Sequence, residues 1–124
     1  MEDLYQEFII DLYKNPRNFG KIKNPDYAAK LDNPTCGDQI ELFIKIEGDI
    51  VKDAKFIGHG CAISQASASL FTDYLKGKKI QELSKIKKEN VLDLIKIDLS
   101  KNPSRMRCAL LSYEAMKKAL KKHF

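Results

Sequence analysis

Three cysteines and one neighbouring aspartate are the residues of this chain with the most distinctive chemistry. Cys36, Cys61 and Cys108 lie far apart in the sequence, and no Cys-x-x-Cys pair is present, so any shared site must be assembled by the fold. Asp38 follows Cys36 closely and offers a carboxylate as a fourth ligand. Three thiolates and one carboxylate could fill a tetrahedral zinc site or hold an iron–sulfur cluster. Taken singly, each cysteine is better explained as a small buried apolar side chain.

A predicted β-hairpin gives a reason to expect two of these thiols in one place. Residues 39–47 alternate between apolar and polar side chains, Gly48-Asp49 suits a two-residue turn, and residues 50–57 form a weaker return strand. Cys36 and Cys61 are equally distant from this turn, so an unbroken register places them opposite each other. A β-bulge would shift the register by one residue, so the firmer prediction is that both thiols lie at the same end of the hairpin.

Helical periodicity surrounds this hairpin on both sides. Before the hairpin, the pattern predicts a helix over residues 3–14. After it, the pattern predicts a helix that begins at Ala62 and is capped by Gly77, and one or two short helices over residues 80–97. A last helix is predicted to begin at Asn102-Pro103-Ser104. A loop with a short strand near 28–31 joins the first helix to the hairpin. Helices packed on one face of a three-stranded antiparallel sheet, an α+β fold, follow from this order.

Two of the cysteines lie close to predicted helix starts. Cys61 precedes the second helix, and Cys108 lies in or near the first turn of the last one. The unpaired N–H groups and the dipole at a helix N-terminus stabilise a thiolate. Both positions therefore suit a reactive or metal-binding sulfur.

Length and composition exclude several classes of protein. A chain of 124 residues with 44% apolar and 31% charged residues is expected to form one globular domain over residues 1–124. No apolar run is long enough to span a membrane, and the acidic start, Met1 to Leu4, lacks the features of a signal peptide. We therefore expect a cytoplasmic protein that has no membrane partner.

The positive charge is concentrated in the second half of the chain. Residues 1–75 carry 8 Lys/Arg and 12 Asp/Glu, a net −4, whereas residues 76–124 carry 14 and 5, a net +9. Such a half could bind nucleic acid or an acidic protein surface. Because most of these residues are lysines at predicted helix ends, a solvated surface is the better explanation, and no nucleic-acid partner is expected.

Four stretches of the chain have the character of family motifs, and they are Asp11–Asn18 (DLYKNPRN), Asn33–Asp38 (NPTCGD), Gly58–Ser69 (GHGCAISQASAS) and Arg105–Leu111 (RMRCALL). Together they resemble the iron–sulfur cluster assembly scaffold family that includes the NifU N-terminal domain, IscU and SufU. The sequence is most similar to the SufU branch, because Arg107 precedes the last cysteine where the IscU branch typically has His. The family fold, three antiparallel strands with several helices, agrees with the pattern above.

The resemblance implies a function. SufU-like proteins are zinc-dependent acceptors that take persulfide sulfur from a pyridoxal-phosphate cysteine desulfurase and pass it to downstream iron–sulfur assembly proteins. The implied zinc ligands are Cys36, Asp38, Cys61 and Cys108. Cys36, on a loop beside Gly37, is the first candidate for the sulfur-accepting residue and Cys108 the second. This protein would then be a sulfurtransferase-like carrier at most.

Two other functions remain open from the sequence. The same four ligands could build a [2Fe–2S] cluster on an IscU-type scaffold, since the two functions differ in metal and partners more than in ligand positions. A basic nucleic-acid-binding module with inert cysteines is a more distant alternative.

For three features next to the cysteines, a purely structural role explains the sequence at least as well as a chemical one. His59 either supports the metal site or is exposed, with its flanking glycines serving the backbone. Arg107 either steers an anionic persulfide or is an exposed residue at a helix end. The Ser64–Ser69 run has no accompanying base, so we interpret it as small residues that allow close helix packing.

Overall fold

Three antiparallel strands and five helices follow one another through residues 2–34 and 37–121, which a computed structural model describes. The helices are α1 (Glu2–Lys14), α2 (Ala62–Leu75), α3 (Ile80–Leu83), α4 (Lys88–Ile95) and α5 (Pro103–Leu120). The strands are β1 (Tyr27–Asn33), β2 (Asp38–Glu47) and β3 (Ile50–His59). Each predicted element is present, and the first strand is longer than the predicted short segment near 28–31.

The strands form one sheet in the order β1-β2-β3, so each pairs with its neighbour in sequence. Ile40, Leu42 and Ile44 alternate along the central strand and are fully buried, in one core cluster with residues of α2 and α5. This arrangement confirms the predicted α+β fold with helices packed on the sheet. None of the described helices is both long and apolar enough to cross a membrane.

The hairpin register differs from the prediction along most of its length. Ile46 pairs with Val51 as expected next to the turn, but a β-bulge follows, so that Lys45 pairs with Asp53 and Gln39 with His59. The unbroken register that would place Cys36 opposite Cys61 is therefore wrong. Cys36 itself lies outside the described residues.

The loop after α1 is held against both α2 and the edge of the sheet. The Asn18 amide donates to Thr72 Oγ1 at 3.0 Å and to Asp73 Oδ1 at 2.8 Å, and its own oxygen accepts from Lys76 Nζ. The Asn18 carbonyl accepts from the backbone N–H of Phe56 at 3.0 Å. This clamp covers one edge of β3, which would otherwise present unpaired backbone groups.

We expect Asn18→Ala to lower the free energy of unfolding by about 1–3 kcal/mol, because the buried Thr72 hydroxyl loses its donor and the left-handed backbone at position 18 suits Asn better than Ala. Asn24→Ala is the matched control, since Asn24 is also left-handed (φ 55°) but its side chain makes no hydrogen bond with a described residue. Urea unfolding measures both. Equal losses would show that backbone conformation, not the clamp, sets the cost.

Candidate metal centre

The starts of β2, α2 and α5 meet at one end of the molecule. Asp38 is the first residue of β2, Cys61 is the N-cap of α2, and Cys108 lies in the second turn of α5. One carboxylate oxygen of Asp38 and the two Sγ atoms all lie within 4.8 Å of one another. Three of the four predicted ligands are thus brought together, and the fourth, Cys36, is outside the described residues.

Asp38 is held in place by the residue that it faces. Its Oδ1 accepts a hydrogen bond from the backbone N–H of Cys61 at 2.8 Å, and its Oδ2 accepts from the Cys61 thiol at 3.6 Å. Asp38 as a whole is only 1% exposed. A carboxylate in this environment is strongly oriented, because burial leaves it few other partners.

Gly60 allows this approach between the strand and the helix. A Cβ built on Gly60 would lie 2.1 Å from Asp38 Oδ1 and 2.6 Å from its Cγ, and the φ angle of +145° is one that side-chain-bearing residues rarely adopt. Gly58 is restricted by space alone, since its Cβ would lie 2.1 Å from the Gln39 carbonyl oxygen. The two glycines that flank His59 therefore have a backbone role.

Cys108 faces the site from an otherwise apolar environment. It is 4% exposed and belongs to a cluster that includes Ile9, Leu12 and Ala109. The helix begins at Pro103, as predicted from Asn102-Pro103-Ser104, and the Asn102 side chain accepts a hydrogen bond from the backbone N–H of Arg105 at 3.2 Å. Cys108 lies in the second turn of α5, beyond the first turn in which the dipole effect is concentrated, whereas Cys61 lies directly at the start of α2. The expected effect of the helix starts on these two thiols stays a prediction.

One polar contact ties α5 to α2, and a second lies within the segment before α5. The Ser67 hydroxyl of α2 donates to the Ala109 carbonyl, which ties the two helices together next to Cys108. Before the helix, the backbone N–H of Ser100 donates to Asp98 Oδ1 at 2.9 Å. Hydrogen bonds from the hydroxyl and the backbone of Ser100 lower the pKa of the Asp98 carboxyl below its ordinary value.

The donor set fits a zinc ion. At a Zn–S distance of about 2.3 Å, two sulfurs of a tetrahedral site lie about 3.8 Å apart. The observed donor atoms lie within 4.8 Å of one another, so they need to close by at most about 1 Å to share an ion. Two sulfurs and one buried carboxylate are ligands that zinc accepts, and one further protein ligand would complete a tetrahedral structural site.

The remaining polar residues next to the cysteines, among the described part of the chain, are not grouped with the three candidate metal ligands. His59 and Arg107 are both exposed. The Ser64 hydroxyl donates to the Cys61 carbonyl at 3.0 Å and so supports the start of α2. Ser67 and Ser69 are buried and bond to backbone groups of other segments, in agreement with the predicted packing role.

This chain is similar to proteins of iron–sulfur cluster assembly over nearly its whole length. A model of the NifU-like N terminal domain family matches residues 4–124. The "Zinc-dependent sulfurtransferase SufU" of Bacillus subtilis (strain 168) is 44% identical, with 98% of this chain and 92% of that protein covered. The "Iron-sulfur cluster assembly scaffold protein IscU" of Thermotoga maritima is 37% identical, with 96% and 94% covered.

A solved structure agrees with the fold. This chain superposes with a TM-score of 0.77 on the crystal structure of a "Putative iron-sulfur cluster assembly scaffold protein for SUF system" from Fervidobacterium islandicum AW-1. It is 32% identical, and the match covers 92% of this chain and 94% of that one.

Proposed function

Because this chain belongs to the NifU-like N-terminal domain family, we propose that it is a zinc-dependent sulfur acceptor in iron–sulfur cluster assembly. The observation that carries the proposal is the meeting of Asp38, Cys61 and Cys108 at one end of the fold. Similarity to a zinc-dependent sulfurtransferase at 44% identity supports this function over the scaffold function of the IscU relatives, which are 35–37% identical.

We propose Cys36, Asp38, Cys61 and Cys108 as the zinc ligands. When bound, zinc would keep its thiolates deprotonated at neutral pH while lowering their nucleophilicity. Asp38 holds its position through the Cys61 N–H, so it serves as the fixed member of the ligand set. The apolar cluster around Cys108 limits the access of water from that side.

The transfer step requires one nucleophilic thiolate. A cysteine thiolate of this chain attacks the terminal sulfur of a donor persulfide, a new S–S bond forms, and the donor's S–S bond breaks to release the donor thiolate. No external oxidant or reductant is needed, because the sulfur moves with its oxidation state unchanged. We assign the acceptor role to Cys36 first and to Cys108 second.

The family implies interaction with a cysteine desulfurase. We propose that this partner uses pyridoxal phosphate and that further assembly proteins receive the sulfur. Free thiols that carry sulfur require a reducing compartment, so we place the activity in the cytoplasm. The basic second half of the chain suits an acidic partner surface, and salt-insensitive association would argue against that contribution.

Elemental analysis and a sulfur-transfer assay test the function together. The purified protein is expected to hold about one zinc ion per chain and to accelerate alanine formation by a cysteine desulfurase. Cys36→Ala is expected to lose this acceleration, whereas Ser84→Ala, at an exposed serine, is expected to keep it. Stimulation by Cys36→Ala equal to that of the parent would contradict the acceptor assignment.

A [2Fe–2S] scaffold is the second candidate, favoured by the IscU relatives. Anaerobic reconstitution with iron and sulfide distinguishes the two functions. A stable visible absorption from a cluster on this chain, together with sulfur transfer that needs no zinc, would favour the scaffold.

A further inference from the structure

The Ser67 hydroxyl makes a buried hydrogen bond between the two helices that carry candidate sulfur ligands. Ser67 lies on α2, which begins directly after Cys61, and it donates to the carbonyl of Ala109 on α5. Ser67 is 2% exposed and Ala109 is fully buried. Since Ala109 directly follows Cys108, the bond holds α5 next to the residue that brings the second sulfur.

The candidate metal centre tolerates little movement of one helix along the other. Its three donor atoms lie within 4.8 Å of one another, and two sulfurs on one zinc ion are about 3.8 Å apart. Each residue of an α-helix advances about 1.5 Å along the axis, so a slide of α5 by one residue would exceed the distance that remains to be closed. The position of α5 along α2 must therefore be fixed to within about 1 Å.

Apolar packing alone does not select one such position. Ala66 of α2 and Ala109 of α5 are fully buried and belong to the same core cluster as Cys108. The hydrophobic effect that holds these small groups together is non-directional. A hydrogen bond weakens steeply when its length or angle leaves the preferred range, so the Ser67 hydroxyl favours a single alignment of the two helices.

The Ala109 carbonyl accepts this bond while it lies inside a continuous helix, Pro103–Leu120. A carbonyl oxygen has two lone pairs, so it can serve the helix and the Ser67 hydroxyl together. Removing the hydroxyl therefore leaves the carbonyl with its helical partner and creates no orphaned polar group at Ala109. We expect a Ser67→Ala variant to fold, so that a change in the alignment of the ligands can be measured.

We propose that Ser67 is a positioning residue of the zinc site, whose bond to Ala109 holds α5 where Cys108 can share an ion with Cys61. The proposal rests on the proposed function and deepens it by naming a residue outside the ligand set that sets the zinc affinity. Groups that orient metal ligands typically contribute 10–100-fold to metal affinity. Because Ser67 acts through the backbone of α5, its expected contribution is near the lower end, about tenfold.

Ser69→Ala is the matched control for Ser67→Ala. Both serines lie on α2, both are at most 2% exposed, and each forms a hydrogen bond with the backbone of another segment. Ser69 Oγ accepts from the backbone N–H of Arg17 at 3.2 Å, in the loop after α1, which carries none of the proposed zinc ligands. Since Ser69→Ala takes an acceptor away from a partly buried N–H, it should destabilise the fold at least as much as Ser67→Ala.

Three measurements on the full chain separate alignment from stability. Chelator competition gives the zinc affinity, the absorption spectrum of the cobalt-substituted protein reports the ligand geometry, and thermal unfolding without metal gives the stability. For Ser67→Ala we expect zinc binding about tenfold weaker and an altered thiolate-to-cobalt charge-transfer absorption. For Ser69→Ala we expect zinc affinity within about twofold of the parent and an unchanged cobalt spectrum, although both metal-free variants should melt about 3–6 °C below the parent.

Each other outcome overturns the proposal in a distinguishable way. Parental zinc affinity or a parental cobalt spectrum in Ser67→Ala would show that packing alone aligns the ligands, and the proposed function would stand. An equal loss of zinc affinity in Ser69→Ala would show that the general stability of α2, rather than its bond to α5, governs zinc binding. A Ser67→Ala variant that is unfolded without metal would give the bond a role in the fold instead of the site. A parent that binds no zinc would overturn the proposed function and the role of Ser67 together.

Discussion

The Gly60→Ala variant is expected to bind zinc about 100-fold more weakly than the parent, the upper range for disturbing a group that orients a metal ligand. A Cβ at this position would lie 2.1 Å from Asp38 Oδ1, 2.6 Å from Asp38 Cγ and 2.9 Å from Asp38 Cα. The Asp38 backbone cannot give way as a flexible side chain would, because it begins β2. The carboxylate must therefore leave its place beside Cys61.

This displacement has two further consequences. The backbone N–H of Cys61 loses the oxygen that accepts its hydrogen bond at 2.8 Å. In addition, alanine at a φ of +145° is strained by about 1–3 kcal/mol whatever the space around it. Part of the effect on zinc could therefore come from backbone strain alone, and a control must separate the two causes.

Gly48→Ala is that control, because Gly48 also has a positive φ (+67°) but a Cβ at this position would meet nothing within 4 Å. We expect it to lower the melting temperature while leaving zinc affinity within about twofold of the parent. Chelator competition gives the affinity, and the absorption spectrum of the cobalt-substituted protein reports the ligand set. Parent-like zinc affinity in Gly60→Ala would show that Asp38 is not held through this contact.

The second large effect is expected for Cys108→Ala, which should abolish the stabilisation of the fold by zinc. A ligand at 100 times its Kd stabilises the folded state by about 2.7 kcal/mol, which corresponds to roughly 10 °C in the melting temperature of a domain of this size. The parent should show this shift on addition of zinc, and its reversal by a chelator. Alanine keeps the apolar contacts of the Cys108 backbone and Cβ with the surrounding cluster but removes the sulfur.

Ser112→Ala is the matched control for this substitution. Ser112 lies one turn further along α5, is 1% exposed, and its Oγ has no hydrogen-bond partner among the described residues. Removing an unsatisfied buried hydroxyl should leave stability unchanged or slightly increased, with the zinc-dependent shift intact. A zinc-dependent shift of parental size in Cys108→Ala would exclude Cys108 from the ligand set.

Local sequence signals predicted most of the elements. The alternation of residues 39–47 indicated β2, and the order Asn102-Pro103 marked the start of α5, because an Asn side chain satisfies the free N–H groups of a helix and Pro needs no N–H there. The length of β1 was underestimated, since Tyr27–Asn33 is stabilised chiefly by its pairing with β2 and has alternate residues exposed.

The strand register shows the limit of such reasoning. Turn length alone predicts an unbroken pairing, but the bulge beside Lys45 and Ile46 moves every later pair by one position. With that shift, extending the register from the Gln39–His59 pair puts Asp38 opposite Gly60. The two glycines around His59 were a visible signal of a backbone requirement, yet only the register shows which carboxylate needs the space.

The sequence by itself determined the kinds of ligand atom, the helices and strands that carry them, and the family whose motifs they match. These depend on residue type and short-range periodicity, both of which can be read along the chain. Only the tertiary structure decided that Cys108 faces Cys61 and Asp38 and that Gly60 admits the carboxylate. Those facts follow from how α2 and α5 pack across the sheet, a set of long-range contacts that no local pattern specifies.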